Sequence, residues 1–249
     1  MARKEVLGVL GGMGPLASAE FAKTIYEHTL GEREQDSPIV FMLSDPTFSD
    51  RTQALLAGED DSLLSHLIAT LGQLREMGAD RIVICCVTIH HLLPRLPQEM
   101  RDHVISLLDV TFERVAKTQN RYLLISTVGS IKLKLYERHP QWEAVKDRII
   151  VPDEADQKLI HDGIIYQIKK NRDLNKLVPV LESVLSRYTT DSFIVGCTEI
   201  HLLAKHFISS RPGGRFTCVD PLIAIAEDLR HEINEGEIVV ARQVEKGER

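Results

Sequence analysis

Two cysteines occupy matching places in the chain. Cys86 stands in Val83-Ile84-Cys85-Cys86-Val87-Thr88-Ile89-His90, and Cys197 in Ile194-Val195-Gly196-Cys197-Thr198-Glu199-Ile200-His201. In each stretch an apolar run reaches a cysteine, and Ile-His follows three and four residues later. Leu7–Gly12 and Leu124–Gly129 form a second matched pair at a similar offset, each a strand-like run that enters a glycine-bearing loop. Such a repeat predicts two similar halves. If a pseudo-twofold relates them, the two sulfurs face each other across one cleft. A thiolate on one side can then take a proton from carbon while a thiol on the other side returns one, which inverts a stereocentre without a cofactor.

That chemistry needs one thiolate and one thiol at once. A free cysteine has a pKa of about 8.5, so only a few per cent is ionised at neutral pH. Lowering it by ~1.5 units takes about 2 kcal/mol, which the positive end of a helix and nearby donors can supply. A single buried cysteine is more simply a core residue; the inference rests on the pair. Cys85 should point to the opposite face from Cys86, because successive strand residues alternate, and Cys218 reads as strand core.

The elements that must position the thiols follow from the pattern of the chain. Val6–Leu10, Ile39–Leu43, Arg81–Cys85, Tyr122–Ser126, Arg148–Val151, Ser192–Gly196 and Phe216–Val219 read as strands, apolar enough to be covered on both faces. Helical periodicity runs through Pro15–Leu30, Leu63–Met77, Gln98–Lys117, Asp153–Asn171 and Asn175–Tyr188. The alternation predicts an α/β protein: two similar Rossmann-like domains with parallel sheets, and a site at the C-terminal strand ends between them. The expected division is 1–117 with a returning segment 220–249, against 118–219, the boundary falling near Thr118–Arg121. Glu245–Arg249 is expected to be disordered.

Composition narrows the partners. The chain has 249 residues, is 43% hydrophobic and 27% charged, and carries a formal net charge of −6. An acidic balance gives no electrostatic reason to expect nucleic acid or an anionic membrane surface. No apolar run approaches the ~20 residues that span a bilayer, and no secretory leader is evident, so the expected location is cytoplasmic. Four cysteines without a C-x-x-C spacing predict free thiols and no metal site. Gly11, Gly12 and Gly14 make neither a dinucleotide fingerprint nor a Walker A loop.

Taken in order, the motifs resemble the aspartate/glutamate racemase family. Gly11-Gly12-Met13-Gly14-Pro15 is similar to its N-terminal signature loop, Asp50-Arg51-Thr52 to its Asp-Arg-Thr motif, Cys86-Val87-Thr88 to its first cysteine motif and Gly196-Cys197-Thr198-Glu199 to its second. Gly163-Ile164 followed by Lys169 resembles the segment that supplies a substrate-binding lysine, and Asp220 an acidic residue after the last strand. The resemblance implies a two-cysteine racemase of an acidic amino acid, with Cys86 and Cys197 catalytic, no pyridoxal phosphate, no metal and a homodimeric state. It places Met13, Asp50, Arg51, Thr52, Val87, Thr88, Thr127, Lys169, Thr198 and Glu199 around the substrate.

These residue types suit that role. Arg51 offers a planar fork to a carboxylate; alone it is as readily a surface partner of Asp50. Thr88, Thr127 and Thr198 can donate to an α-carboxylate, though each by itself is more simply a helix cap. Glu199 can accept from an ammonium, and Lys169 can meet a second carboxylate. His90 and His201, four residues after each cysteine, either tune the thiols or dock the following helix, and docking is the commoner role. Val87 stands where the family presents Asn, so one hydrogen bond to substrate worth about 1.5–3 kcal/mol is missing. Two other readings therefore remain open: a related two-cysteine enzyme such as a maleate isomerase or hydantoin racemase, and an amino-acid-binding homologue without turnover.

Overall fold

The computed structural model describes residues 4–31, 33–210 and 216–235. Its strands form two four-stranded sheets, both entirely parallel. The first holds β1 (Val6–Gly11), β2 (Ile39–Ser44), β3 (Arg81–Ile84) and β4 (Val104–Ile105), in the order β2-β1-β3-β4. The second holds β5 (Tyr122–Ser126), β6 (Ile149–Ile150), β7 (Ser192–Gly196) and β8 (Thr217–Val219), in the order β6-β5-β7-β8. The two orders are the same, so the sequence repeat is a repeat of topology. Cys86 follows β3 and Cys197 follows β7, the equivalent inner strands. Inner strands β1, β5 and β7 are buried throughout, whereas edge strand β2 is exposed or half-buried at every position, as parallel sheets covered on both faces require.

Strand alternation divides the interior into three apolar layers. Leu7, Val9, Val83 and Cys85 of the first sheet share one layer with Tyr122, Leu124 and Ile194 of the second, so this core is common to both halves. On the far face of the first sheet, Leu10, Ile82, Ile84 and Cys86 pack with Leu67, Leu71 and Leu74 of helix Asp60–Glu76. On the far face of the second, Leu123, Ile125, Phe193 and Cys197 pack with Leu181, Leu185 and Leu203. Cys85 and Cys86 thus lie on opposite faces of one sheet. Helix Pro221–Glu235 returns to the first half: Leu222, Ile225 and Leu229 join Phe21 and Ile25 in the common layer, and Arg81 grips Glu232 with two hydrogen bonds. Glu245–Arg249 lies outside the described residues.

The helix expected over Gln98–Lys117 is interrupted. A short helix, Gln98–Arg101, stops, and Val104-Ile105 pairs with Ile82-Val83 as β4. Ser106 then caps helix Leu107–Ala116 by accepting from the Asp109 N–H at 3.1 Å. The β-branched pair completes the open edge of β3, and the Ser106-x-x-Asp109 spacing restarts the helix. The helix expected over Asp153–Asn171 is continuous but passes through a π-helical stretch, Leu159–Ile165, between Glu154–Lys158 and Tyr166–Lys169. An α-helix follows Cys197 (Glu199–Ser210), whereas the turns after Cys86 (Thr88–Arg95) are 3₁₀ and contain Pro94.

The repeated histidines dock helices. His90 Nδ1–H donates to the Cys86 carbonyl at 2.8 Å, and its Nε2 accepts from the Leu107 N–H at 3.1 Å, the start of the helix after β4. His201 Nδ1 meets Asp220 Oδ2 at 2.7 Å, and Asp220 Oδ1 in turn accepts from the Leu222 N–H at the start of the helix after β8. Each histidine therefore ties the helix following its cysteine's neighbouring strand to the cysteine-bearing half.

Burial pushes the His90 pKa down to about 4 from 6.5. The unfolded chain then binds more protons than the folded chain between those values, so stability falls as pH drops from about 6.5 towards 4, by about 3 kcal/mol for this group when complete. A His90→Asn chain should lack this contribution. Its stability deficit against the parent, read from urea midpoints, should shrink as the pH is lowered from 7 to 4.5; a deficit constant with pH would contradict the argument.

Candidate active site

The C-terminal ends of the inner strands converge on one cavity between the halves. Cys86 and Cys197 both line it, 7% and 5% exposed. The first half adds Met13, Asp50, Arg51, Thr52 and Thr88; the second adds Thr127, Tyr166, Lys169 and Glu199. A neighbouring outer cavity of about 220 Å3, floored by Gly12, Gly14 and Pro15, shares Met13, Arg51, Lys169 and Glu199 with it. Those four residues form the partition between the two spaces.

The Asp-Arg-Thr segment starts helix Arg51–Ala57. Asp50 caps it, one oxygen accepting from the Gln53 N–H at 2.9 Å and the other from the Tyr166 hydroxyl at 2.7 Å. Arg51 makes no ion pair with Asp50. It is buried, and its guanidinium donates to the carbonyls of Phe48 at 3.3 Å, Ser49 at 2.9 Å and Met13. Burial works against its charge, but the Cys86 sulfur and the Asp50 and Glu199 carboxylates outweigh this and hold its pKa above the usual arginine value. Tyr166 was not anticipated. It stands three residues before Lys169 on the same helical face, and the π-helical turn precedes both. Burial and its bond to Asp50 push the Tyr166 pKa up to about 12.

The two thiols have opposite surroundings. Cys86 stands beside the Arg51 cation. Cys197 donates to Glu199 Oε2 at 2.9 Å, and burial followed by the Glu199 charge pushes its thiol pKa well above the normal value, with Lys169 opposing. The lowering expected from a helix N-terminus does not prevail at Cys197, because the sulfur is buried and the first acidic residue of that helix faces it. Lys169 Nζ lies 3.0 Å from Glu199 Oε1, an ion pair off the axis of a hydrogen bond, and donates to the Met13 carbonyl at 3.2 Å. Burial lowers the Lys169 pKa, but the charges of Glu199 and Cys197 leave it raised.

Two glycines make this arrangement possible. Gly12 has φ of 91°, and a Cβ there would meet the Asp45 backbone at 2.3 Å. A Cβ on Gly14 would lie 2.1 Å from Glu199 Oε1 and 3.0 Å from its Cδ. Gly14→Ala must therefore move the carboxylate that holds the Cys197 thiol and Lys169. A displacement of about 1 Å at a reacting centre costs on the order of 100-fold. The expected result is a fall of that size in kcat/KM with little change in urea midpoint, and an unaltered rate would count against the close approach.

Two candidates, Val87 and Thr198, lie outside the cavity, and the threonines of its lining are partly engaged with one another. Val87, in helical conformation after Cys86, turns its side chain into the common apolar layer and is 2% exposed. It is not part of the cavity lining. Thr198 is also outside it; its hydroxyl donates to the Cys85 carbonyl at 3.1 Å, across the halves. Thr88, Thr127 and Ser130 form a triangle of buried hydroxyls with edges of 3.0, 3.0 and 3.2 Å, again across the halves. Thr127 also caps helix Val128–Lys132 through the Ser130 N–H. Asp220, committed to His201 and to its helix, lies away from the cavity. No helix among the described residues is long and apolar enough to cross a membrane.

Two parallel α/β halves meet at a cleft lined by two cysteines and two cations, Arg51 and Lys169. The model of the Asp/Glu/hydantoin racemase family matches residues 10–229, and the chain belongs to that family. It is 18% identical over 224 residues to the broad specificity amino-acid racemase RacX of Bacillus subtilis (strain 168), an alignment covering 83% of this chain and 91% of that one. Among solved structures it resembles Picrophilus torridus aspartate racemase, with a TM-score of 0.78 at 21% identity over 94% of this chain and 99% of the other. It also resembles glutamate racemase from Campylobacter jejuni subsp. jejuni, with a TM-score of 0.57 at 19% identity over 91% and 85%. At these identities the structural likeness speaks for the fold.

Proposed function

We propose that the chain is a cofactor-independent racemase of an acidic amino acid, aspartate or glutamate, working by proton transfer between Cys86 and Cys197. One observation carries this reading: two cysteines from equivalent strand ends line a single cavity that is also lined by two cations, buried Arg51 and half-buried Lys169. Two cations suit two carboxylates.

In the forward step the Cys86 thiolate, beside Arg51, takes the α-hydrogen. The electron pair left on carbon is stabilised through the α-carboxylate by the surrounding donors. Cys197 returns its proton to the opposite face and becomes the thiolate. Glu199 aims that proton, and Lys169 offsets the charge that develops beside Glu199. The reverse enantiomer starts from the other protonation state. A Cys197 thiolate, buried and next to a carboxylate, is costly to form, so Lys169 matters most when the proton is taken from that face.

Proton NMR of aspartate and glutamate in heavy water tests the reading. The α-hydrogen signal should disappear as the opposite enantiomer accumulates, and failure of both acids to exchange would end it. Val87 in the core and an Arg51 largely committed to main-chain carbonyls favour one second reading, a related two-cysteine isomerase or racemase acting on another small carboxylate. A substrate panel separates the two. Tight binding of an acidic amino acid without exchange would mark a binding homologue. The same reading takes the division 1–117 with 220–249 against 118–219, a homodimeric assembly and a cytoplasmic location as its expectations; the packing of helix Pro221–Glu235 on the first half supports the division.

A further inference from the structure

A second cavity, of about 510 Å3, lies on the seam between the halves and shares no lining residue with the cysteine cavity. That is within the usual range for small-molecule sites, roughly 300–1,000 Å3. One wall is the 3₁₀ segment Thr88–Arg95 with Arg101, the floor is the first turn of helix Leu107–Ala116, and the other wall is Leu135–Pro140 of the second half.

Its charges lean towards positive. The guanidiniums of Arg101 and Arg138 face a single acid, Asp109, beside the rings of His91 and His139. His139 already meets that acid: its Nδ1 accepts from the Gln141 N–H, so the proton is on Nε2, 2.7 Å from Asp109 Oδ1. Arg101 is held by the Pro94 carbonyl and the Gln98 side chain. Arg138 makes no side-chain hydrogen bond or ion pair among the described residues, and its charge acts on half-buried His91. The positive end of the Leu107–Ala116 helix adds to the same field. Leu93, Leu108 and Leu135 supply an apolar surface beside these groups. A free cationic fork, a second guanidinium and a helix start, in a chain of net charge −6, are the complement of an anion with an apolar body.

We infer that this cavity is a second, effector site for a small organic anion. A phosphate or carboxylate head meets Arg138 and Arg101 at the helix start, and the apolar body lies against Leu93, Leu108 and Leu135. The site is coupled to the catalytic loop through His90. That ring lines the cavity, donates to the Cys86 carbonyl and accepts from the N–H of Leu107, the buried residue between Ser106 and Leu108 of the floor. A ligand that fixes the floor fixes Cys86.

The test uses the whole chain with phenyl phosphate, benzoate and neutral benzyl alcohol as probes. Calorimetry should show saturable binding of phenyl phosphate or benzoate, the stronger of the two naming the head group, and none of benzyl alcohol. Aspartate should not displace the probe, and Arg138→Ala, an exposed change, should weaken binding at least about tenfold. With the bound probe the alkylation rate of Cys86 by iodoacetamide, mapped by mass spectrometry, should shift by roughly twofold or more, and that shift should vanish in Arg138→Ala. Neither readout requires racemisation, so this inference can fail or stand apart from the proposed activity. Absence of saturable binding, displacement by aspartate, undiminished binding in Arg138→Ala, or binding that leaves Cys86 reactivity unmoved would each overturn it. A dimer that becomes monomeric in Arg138→Ala while probe binding is unchanged would instead assign this face to a second copy of the chain.

Discussion

A Cys197→Ala chain is expected to stop inverting its substrate while still exchanging the α-hydrogen of one enantiomer. With Cys86 alone, a proton can leave and return on the same face, so deuterium enters with retention, slowly, from that face only. Inversion needs the proton that Cys197 donates. Positioned acid and base groups contribute about 10²–10⁴-fold each, and the two act as a unit, so inversion should fall by at least ~10³-fold. Chiral chromatography beside NMR in heavy water reads both quantities. Cys86→Ala should behave as the mirror case, with retention confined to the opposite enantiomer. Undiminished inversion in either variant would remove the two-base mechanism altogether.

Arg51→Lys is expected to be the most damaging change that conserves charge. The guanidinium serves three main-chain carbonyls at once, those of Met13, Phe48 and Ser49. It also lies against the Cys86 sulfur. A lysine ammonium is a point donor on a flexible stem and cannot reproduce that fork. Each buried carbonyl that loses a charged donor costs about 1.5–3 kcal/mol. Loss of the fork should lower kcat/KM by about 100-fold, or ~2.7 kcal/mol. The decisive readout is kcat/KM measured beside the urea midpoint. A lysine chain with the parent's kcat/KM would show that the fork is dispensable at the site.

What the sequence made legible was whatever depended on local spacing. The repeated Cys-x-x-Ile-His stretches told of equivalent strand ends, and both cysteines indeed reach one cavity. The alternation of Cys85 and Cys86 needed only the two-residue period of a strand. Less legible was whatever depended on a partner far away. Tyr166 meets Asp50 across 116 positions, and nothing in its own neighbourhood announces that contact beyond its helical register with Lys169. The strand β4 is only two residues long, too short to interrupt the helical periodicity around it, although Ser106 supplied a cap signal. Val87 was read by analogy of position, but a helical turn immediately after Cys86 sends its side chain to the core rather than to the cavity. The Cys197 thiol was expected to feel a helix end; burial and the carboxylate two residues on outweigh it, since neither the depth of a side chain nor a charged contact is written in local spacing.

The apolar layer that Leu7, Val9 and Val83 share with Tyr122, Leu124 and Ile194 has a mechanical consequence. Neither sheet owns a complete interior, so fragments made by cutting the chain between the halves would each bare a greasy face and should aggregate unless produced together. In the intact molecule, opening that seam would bare the same apolar layer to water. At the other side of that seam the ion pair of Lys169 with Glu199 stands between the inner and outer cavities.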